Sequence, residues 1–337
     1  MQIHHVQFYV HDARYWQTWF VQKLGFTALP IRVDGDTING DVVCGTVRFR
    51  LASAQTPQSP VAAYLQHHSP GVSAIALTVP DPDAILARAQ AHGGQIHPTP
   101  YSSAPTLVTP WGLRHPLLPT LPPPLPRQTT PLTIDHIVLN VPQGELNAAV
   151  AWYQAVFGLV PQQRFDIRTH TSGLHSQVLT HPDTGLQLPI NEPSTAHSQI
   201  QDFLHHNGGP GVQHIALAPA AILPMTQRLR KAGVQFLSVP TQYYATVQEK
   251  YPHLPLSAED WQAIRAAQIL VDRPSPNTLL LQIFTQPIFD QLTFFLELIE
   301  RRDQAQGFGE GNFQALFEAI EAHQQQQPAI ASRGKGN

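Results

Sequence analysis

Two halves of this chain repeat one pattern. Ile3-His4-His5-Val6-Gln7-Phe8-Tyr9-Val10 opens the first half and Ile134-Asp135-His136-Ile137-Val138-Leu139-Asn140-Val141 opens the second. Both are short β-branched-rich runs with partial alternation, the mark of a strand with one buried face. Each leads into a helical stretch that closes on a similar phrase, WFVQKLGF up to Phe26 and WYQAVFGL up to Leu159. The match returns where GVSAIAL from Gly71 parallels GVQHIAL from Gly211, and each of these is followed by a helix that ends in glycine, AILARAQAHGGQI and ILPMTQRLRKAGVQF. A repeated supersecondary unit cannot bury its apolar face alone. The pattern therefore predicts an α+β chain of four strand-helix-strand units, paired two and two.

Between the halves, PLLPTLPPPLP from Pro116 to Pro126 is too proline-rich to continue a strand or helix and favours an extended spacer. The expected layout is a first domain over 1–115, a spacer over 116–130, a second domain over 131–323 and a disordered polar tail over 324–337. Phe313, Leu316, Phe317 and Ile320 fall at the spacing of one helical face, so a helix from Phe308 to His323 should pack an apolar stripe. With 20 basic residues against 23 acidic ones the formal charge is -3, which gives no footprint for nucleic acid or an anionic membrane surface. No apolar run is long enough to span a bilayer, and Met1-Gln2-Ile3-His4-His5 is not a signal sequence. The expected setting is cytoplasmic.

Cys44 is the single cysteine, so a metal site here has to be built from the 18 histidines and the carboxylates. Comparing the repeats picks out two imidazoles. His136 and His214 lie early in the first strands of the two second-half modules, where the first half has His5 and Ala74. One imidazole cannot hold a metal, so the first half is expected to be metal-free and structural. A third ligand could come from Leu292-Thr293-Phe294-Phe295-Leu296-Glu297-Leu298-Ile299, which sets one carboxylate in an apolar run. Buried, Glu297 needs a cation or hydrogen-bond donors; on an alternating strand it could equally face solvent. Two His and one carboxylate with open positions make the facial triad of non-haem Fe(II) oxygenases, although zinc or nickel sites use similar sets.

Paired βαβββ modules of this kind resemble the vicinal-oxygen-chelate superfamily, in which each pair curls its sheet into a half-barrel. Within it, residues 132–321 resemble the 4-hydroxyphenylpyruvate dioxygenase family. The resemblance rests on NGGPGVQHIA from Asn207 to Ala216, LLQIFT from Leu280 to Thr285, and GFGEGNF from Gly307 to Phe313, in the family's order. It implies Fe(II), one per subunit, on His136, His214 and Glu297. It implies catalytic roles for Gln213, Gln282 and Asn191, and substrate contacts for Ser176, Pro189, Asn191, Gln199 and Gln282. Phe284, Phe295, Phe308 and Phe313 would form the aromatic walls, with Asn312 beside them on a C-terminal lid helix. The implied reaction joins O2 with an aromatic 2-oxo acid, giving homogentisate and CO2 for tyrosine catabolism or tocopherol and plastoquinone supply, in a homo-oligomer (dimer or tetramer).

Two places depart from the family pattern. Glu300 stands where the family usually has Gln and is expected to face outward beside Arg301, and the two prolines of VDRPSPNTLL are expected to stiffen a hairpin without touching the site. The residues leave rival readings open: a hydroxymandelate synthase, an extradiol dioxygenase, or a non-catalytic ligand-binding relative.

Overall fold

The computed structural model describes residues 1–97, 104–119, 131–168, 172–289, 291, 293–316 and 319–320. The first half runs β1 (Gln2–Tyr9), α1 (Ala13–Trp19) with a π-helical turn (Phe20–Leu24), β2 (Thr27–Ala28), β3 (Arg32–Asp34), β4 (Thr37–Cys44), β5 (Val47–Ala54), α2 (Pro60–Leu65), β6 (Gly71–Thr78), α3 (Pro82–Ala91), β7 (Gln95–His97), β8 (Thr106–Val108) and β9 (Arg114–Leu118). The second runs β10 (Leu132–Asn140), α4 (Leu146–Phe157), β11 (Val160–Arg168), β12 (Gly173–Thr180), β13 (Gln187–Pro193), α5 (Gln199–Asn207), β14 (Gly211–Pro219), α6 (Ile222–Lys231), α7 (Thr241–Lys250), α8 (Ala258–Ala267), β15 (Leu270–Asp272), β16 (Leu279–Phe284) and β17 (Phe295–Arg302).

Each half forms one curled mixed sheet, ordered β2-β4-β5-β1-β6-β9-β8-β7 with β3 on β4, and β11-β12-β13-β10-β14-β17-β16-β15. The first strands of the two modules meet antiparallel at the centre of each sheet, β1 against β6 and β10 against β14. This is the expected α+β build of paired βαβββ modules. The glycine after each module's first helix ends it in the left-handed region, Gly25 at φ 73° and Gly158 at φ 70°. The fourth module departs from the others by inserting α7 and α8 between α6 and β15.

Strand period divides the residues of β10 between two environments. Ile137 and Leu139 enter one continuous apolar core shared by both halves, and His136, Val138 and Asn140 face the other way. The halves also meet through helix ends: Arg88 Nε donates to the Val156 carbonyl, and Lys23 Nζ to that of Ala232. Residues 116–118, expected to open the proline spacer, instead complete β9. Leu117 is fully buried there and its N–H bonds the Pro105 carbonyl, so the strand tolerates the one donor that Pro116 lacks. Residues 120–130 of the spacer and the tail lie outside the described residues.

Candidate metal centre and its cavity

His136, His214 and Glu297 stand on one face of three adjacent strands. The register aligns His136 with Ala216 and Ala216 with Glu297, and His214 lies opposite Val138 and Phe295, two residues along the same face. All three side chains are buried, and their ligating atoms gather within 4.8 Å. Glu297 Oε2 lies 3.3 Å from His136 Nε2 and 3.5 Å from His214 Nε2. Cis ligands each about 2.1 Å from one ion stand about 3 Å apart, so the spacing fits a shared ion. The solvent-facing alternative for Glu297 is thereby excluded.

The outward imidazole nitrogens are already engaged. His136 Nδ1 lies 2.8 Å from Asp135 Oδ1 and His214 Nδ1 lies 3.4 Å from Gln213 Oε1, which leaves both Nε2 lone pairs for an ion. Burial disfavours a charged His136, but Glu297 and Asp135 outweigh it and raise the imidazole to about 9. Burial likewise pushes Glu297 up, yet the two imidazoles hold it at about 2. Burial lowers His214. The three side chains together attract positive charge at their centre, and a divalent ion displaces the proton that His136 otherwise carries.

The first half shows the same frame with its ligands lost. His5 takes the place of His136 and Ala74 that of His214, and the offset that pairs Ala74 with Arg114 sets Pro116 where Glu297 stands. That face is filled instead by Asp41, held by Arg32 and Arg50, and by Arg114 over the rings of Tyr9 and Tyr64.

Beside these three side chains lies a cavity. The structure brings every residue singled out in the sequence to its wall: Ser176, Pro189, Asn191, Gln199, Gln213, Gln282, Phe284, Phe295, Phe308, Asn312 and Phe313. Phe295 stacks on His214 with centroids 4.8 Å apart, and Phe308 meets His136 edge-on at 5.1 Å. Residues 313–316 and 319–320 are helical, and the stripe Phe313, Leu316 and Ile320 faces the cavity. Phe317 lies outside the described residues.

The amides differ in what they have left to offer. Gln282 is committed, its Nε2 donating to Glu297 Oε1 at 2.9 Å and to the Phe308 carbonyl at 3.1 Å, its Oε1 accepting from Asn312 Nδ2 at 2.9 Å. Asn191 gives its Nδ2 to Asn140 Oδ1 at 3.3 Å, which leaves its own Oδ1 for a donor. Gln199 Oε1 is buried without a protein partner.

Sequence reasoning missed several residues here. Phe165 on β11 closes the wall with edge contacts to Phe308 and Phe313, and its strand is too exposed and polar to look like a site from sequence. Asp135 precedes the first ligand and could have been found as its carboxylate partner. Glu300 proves to lie on the opposite face of β17 from Arg301. Its carboxylate accepts from Ile222 N at 2.6 Å, capping α6, and pairs with Arg302, because successive strand residues point to opposite faces. The end of β15 that leads into the proline-containing hairpin reaches the turn beside the cavity, since Asp272 accepts from the Gly311 N–H.

A curled-sheet frame with a buried two-histidine, one-carboxylate group that could hold a metal ion belongs to the Glyoxalase/Bleomycin resistance protein/Dioxygenase superfamily, whose family model matches residues 2–105 and 133–251. The chain is 33% identical to 4-hydroxyphenylpyruvate dioxygenase of Danio rerio, covering 96% of this chain and 91% of that protein, and 34% identical to that of Caenorhabditis elegans, covering 95% and 91%. A mutant of 4-hydroxymandelate synthase from Streptomyces coelicolor superposes with a TM-score of 0.86 at 28% identity, covering 96% of this chain and 98% of that one. The chain belongs to the 4-hydroxyphenylpyruvate dioxygenase family. Among the described residues no helix is long and apolar enough to cross a membrane.

Proposed function

We propose that the protein is an Fe(II)- and O2-dependent 4-hydroxyphenylpyruvate dioxygenase that forms homogentisate and CO2. One observation carries this reading: apart from His136, His214 and Glu297, the described cavity wall is aromatic, aliphatic or neutral polar, the last being amides and the Ser176 hydroxyl, with no Lys or Arg. A carboxylate entering it finds no cationic side chain. A divalent ion on two neutral imidazoles and one carboxylate keeps a net positive charge, so a 2-oxo acid chelating through its carboxylate and keto oxygens matches what the centre offers. The aryl ring then lies among Phe284, Phe295, Phe308 and Phe313, where offset and edge contacts favour a flat aromatic. A phenolic O–H at the far end meets the acceptors Asn191 Oδ1 and Gln199 Oε1, with Ser176 beside them.

Fe(II) held by His136, His214 and Glu297 would supply O2 activation and oxidative decarboxylation of the chelated oxo acid. The chain's own residues orient and shield. Gln213 fixes the His214 ring and keeps its Nε2 free to donate, Gln282 holds Glu297, and Phe308 and Phe313 close the cavity against water.

The test is anaerobic addition of 4-hydroxyphenylpyruvate to Fe(II)-loaded protein, watching for the visible charge-transfer band of a bidentate keto-acid chelate, then admission of air and identification of the product. The expected result is the band followed by homogentisate. A band followed by hydroxymandelate would keep the site and overturn the regiochemistry; no band in protein shown to hold iron would overturn the chelation mode.

A further inference from the structure

Glu297 is the start of a hydrogen-bond chain whose direction is set by its charge. A carboxylate only accepts, so Gln282 has to turn its NH2 to Glu297 Oε1, 2.9 Å away. The Gln282 carbonyl oxygen is then left to accept, and Asn312 supplies Nδ2 at 2.9 Å. That in turn leaves Asn312 with only its oxygen, which the Tyr243 hydroxyl meets at 2.6 Å. The Tyr243 oxygen, having spent its proton, accepts the Val271 N–H at 2.7 Å. Glu297, Gln282 and Asn312 are all buried, so each link is made where a missing partner is costly.

The turn that carries Asn312 is clamped a second time. Asp272 Oδ2 accepts the Gly311 N–H at 3.0 Å, and Asp272 Oδ1 accepts the Tyr251 hydroxyl at 3.2 Å. The close approach explains the glycines: a Cβ on Gly309 would run into the Gln282 amide and one on Gly311 into the Asp272 carboxylate. Tyr243 belongs to α7, part of the insertion that the other three modules lack.

We propose that Tyr243, with Asp272, is a positioning residue: it clamps the turn over residues 309–312 onto Gln282 and so sets the metal ligand Glu297. The assignment rests on the metal-centre reading of His136, His214 and Glu297. The clamp is also reversible by construction. The Val271 carbonyl lies 2.9 Å from the Tyr243 hydroxyl and takes its proton when Asn312 leaves, and Asp272 keeps the Tyr251 hydroxyl and the Arg273 N–H. The Tyr243 hydroxyl thus keeps an acceptor if the turn lifts, whereas Asp272 Oδ2 gives up the Gly311 N–H.

The test compares full-length wild type, Tyr243→Phe and Tyr244→Phe. Tyr244 is the control, the next residue on α7 and more deeply buried than Tyr243, but with its hydroxyl on the Ile269 carbonyl rather than on the turn. Co(II) is titrated into metal-free protein by visible absorption, and amide hydrogen exchange is read at Gly311 and Asn312. Tyr243→Phe should weaken Co(II) binding on the order of tenfold and speed exchange at both amides, while Tyr244→Phe changes neither. Unchanged Co(II) affinity and exchange in Tyr243→Phe overturn the assignment, as does an equal response in Tyr244→Phe, which would mark a loss of helix packing. Should Tyr243→Phe not fold, Asp272→Asn is read the same way, with faster exchange at Gly311 and weaker Co(II) binding expected and no change overturning it. Wild-type protein that takes up no Co(II) overturns the metal-centre reading itself, a different result from a variant that matches a Co(II)-binding wild type.

Discussion

Arg301 grips Asp135 through two 2.8 Å hydrogen bonds, Nε to Oδ2 and Nη2 to Oδ1, and Asp135 Oδ1 is itself 2.8 Å from His136 Nδ1. Burial raises the Asp135 carboxyl, but Arg301 and His136 outweigh it and hold the group well below the usual carboxylate range. The pair thus keeps a fixed anion behind the first metal ligand and makes its Nε2 the more basic donor. The same guanidinium bonds the Ala305 and Gly307 carbonyls and lies over the Phe308 ring, which ties ligand orientation to the loop that closes the cavity.

Asp135→Asn keeps the shape of this contact and removes its charge. The expected result is a fall of about 10- to 100-fold in Co(II) or Fe(II) affinity, the usual cost of losing an outer partner of a ligating histidine. Isothermal titration of metal into the metal-free variant measures it, and an affinity equal to wild type would show that the Asp135 charge does not tune His136.

Removing Glu297 acts on the ion itself. Since binding to the folded state alone stabilises by RT ln(1 + [L]/Kd), about 2.7 kcal/mol when metal is at a hundredfold excess over Kd, chelation should lower the melting temperature of wild type. Glu297→Gln leaves one neutral ligand where the anion stood and should show no metal-dependent increment. If chelation shifts wild type and Glu297→Gln by the same amount, the ion is bound elsewhere.

How much of this was legible beforehand follows from what each residue type has to do. His136, His214 and Glu297 were found because a repeat exposes the positions where its copies differ, and because an acid inside an apolar run demands a partner. The amides of Asn191, Gln199, Gln213, Gln282 and Asn312 were reached only through the family resemblance, since an amide on a strand or helix looks the same whether it faces substrate or backbone. Phe165 was hidden in the edge strand β11, which is exposed along much of its length, and nothing local marks it as cavity wall. Tyr243 and Asp272 lie 69 and 39 residues before the groups they hold, so only the folded chain brings them together. Glu300 is expected to face outward beside Arg301, whereas strand alternation puts the two on opposite faces and leaves Glu300 to Ile222 N and Arg302.

Acid should weaken the protein through His115, a group outside the site. Its Nδ1 lies 3.0 Å from the Ile75 carbonyl and its Nε2 3.0 Å from the Tyr153 hydroxyl, and burial lowers the imidazole from 6.5 to about 4. Between those values the unfolded chain binds the proton and the folded one does not, so stability is present above pH 6.5 and is lost as pH falls toward 4. The full loss is on the order of 3 kcal/mol at about 1.4 kcal/mol per unit. Urea midpoints of metal-free protein at pH 7 and pH 5 should therefore diverge less in His115→Gln than in wild type, with the other histidines lowered by burial, His4, His5, His68 and His214 among them, contributing to what remains of the slope. Equal divergence would place the acid sensitivity elsewhere.

On the proposed reaction, the Asn191 amide is expected to accept the ring hydroxyl of the substrate. Asn140 Oδ1 holds Asn191 Nδ2 at 3.3 Å, and this fixes which end of the Asn191 amide is left to accept a hydrogen bond. Replacing Asn140 by Leu frees the Asn191 amide to turn, and replacing Asn191 by Leu removes the acceptor outright. A single hydrogen bond is worth about 0.5–1.5 kcal/mol net, so the ratio of kcat/KM for 4-hydroxyphenylpyruvate to that for phenylpyruvate should fall roughly 3- to 10-fold in Asn191→Leu, and less in Asn140→Leu. The ratio is the informative quantity, because a general loss of packing lowers both substrates together and leaves it unchanged. A ratio that stays at the wild-type value in Asn191→Leu would move hydroxyl recognition to another polar group of the wall, such as Gln199 or Ser176.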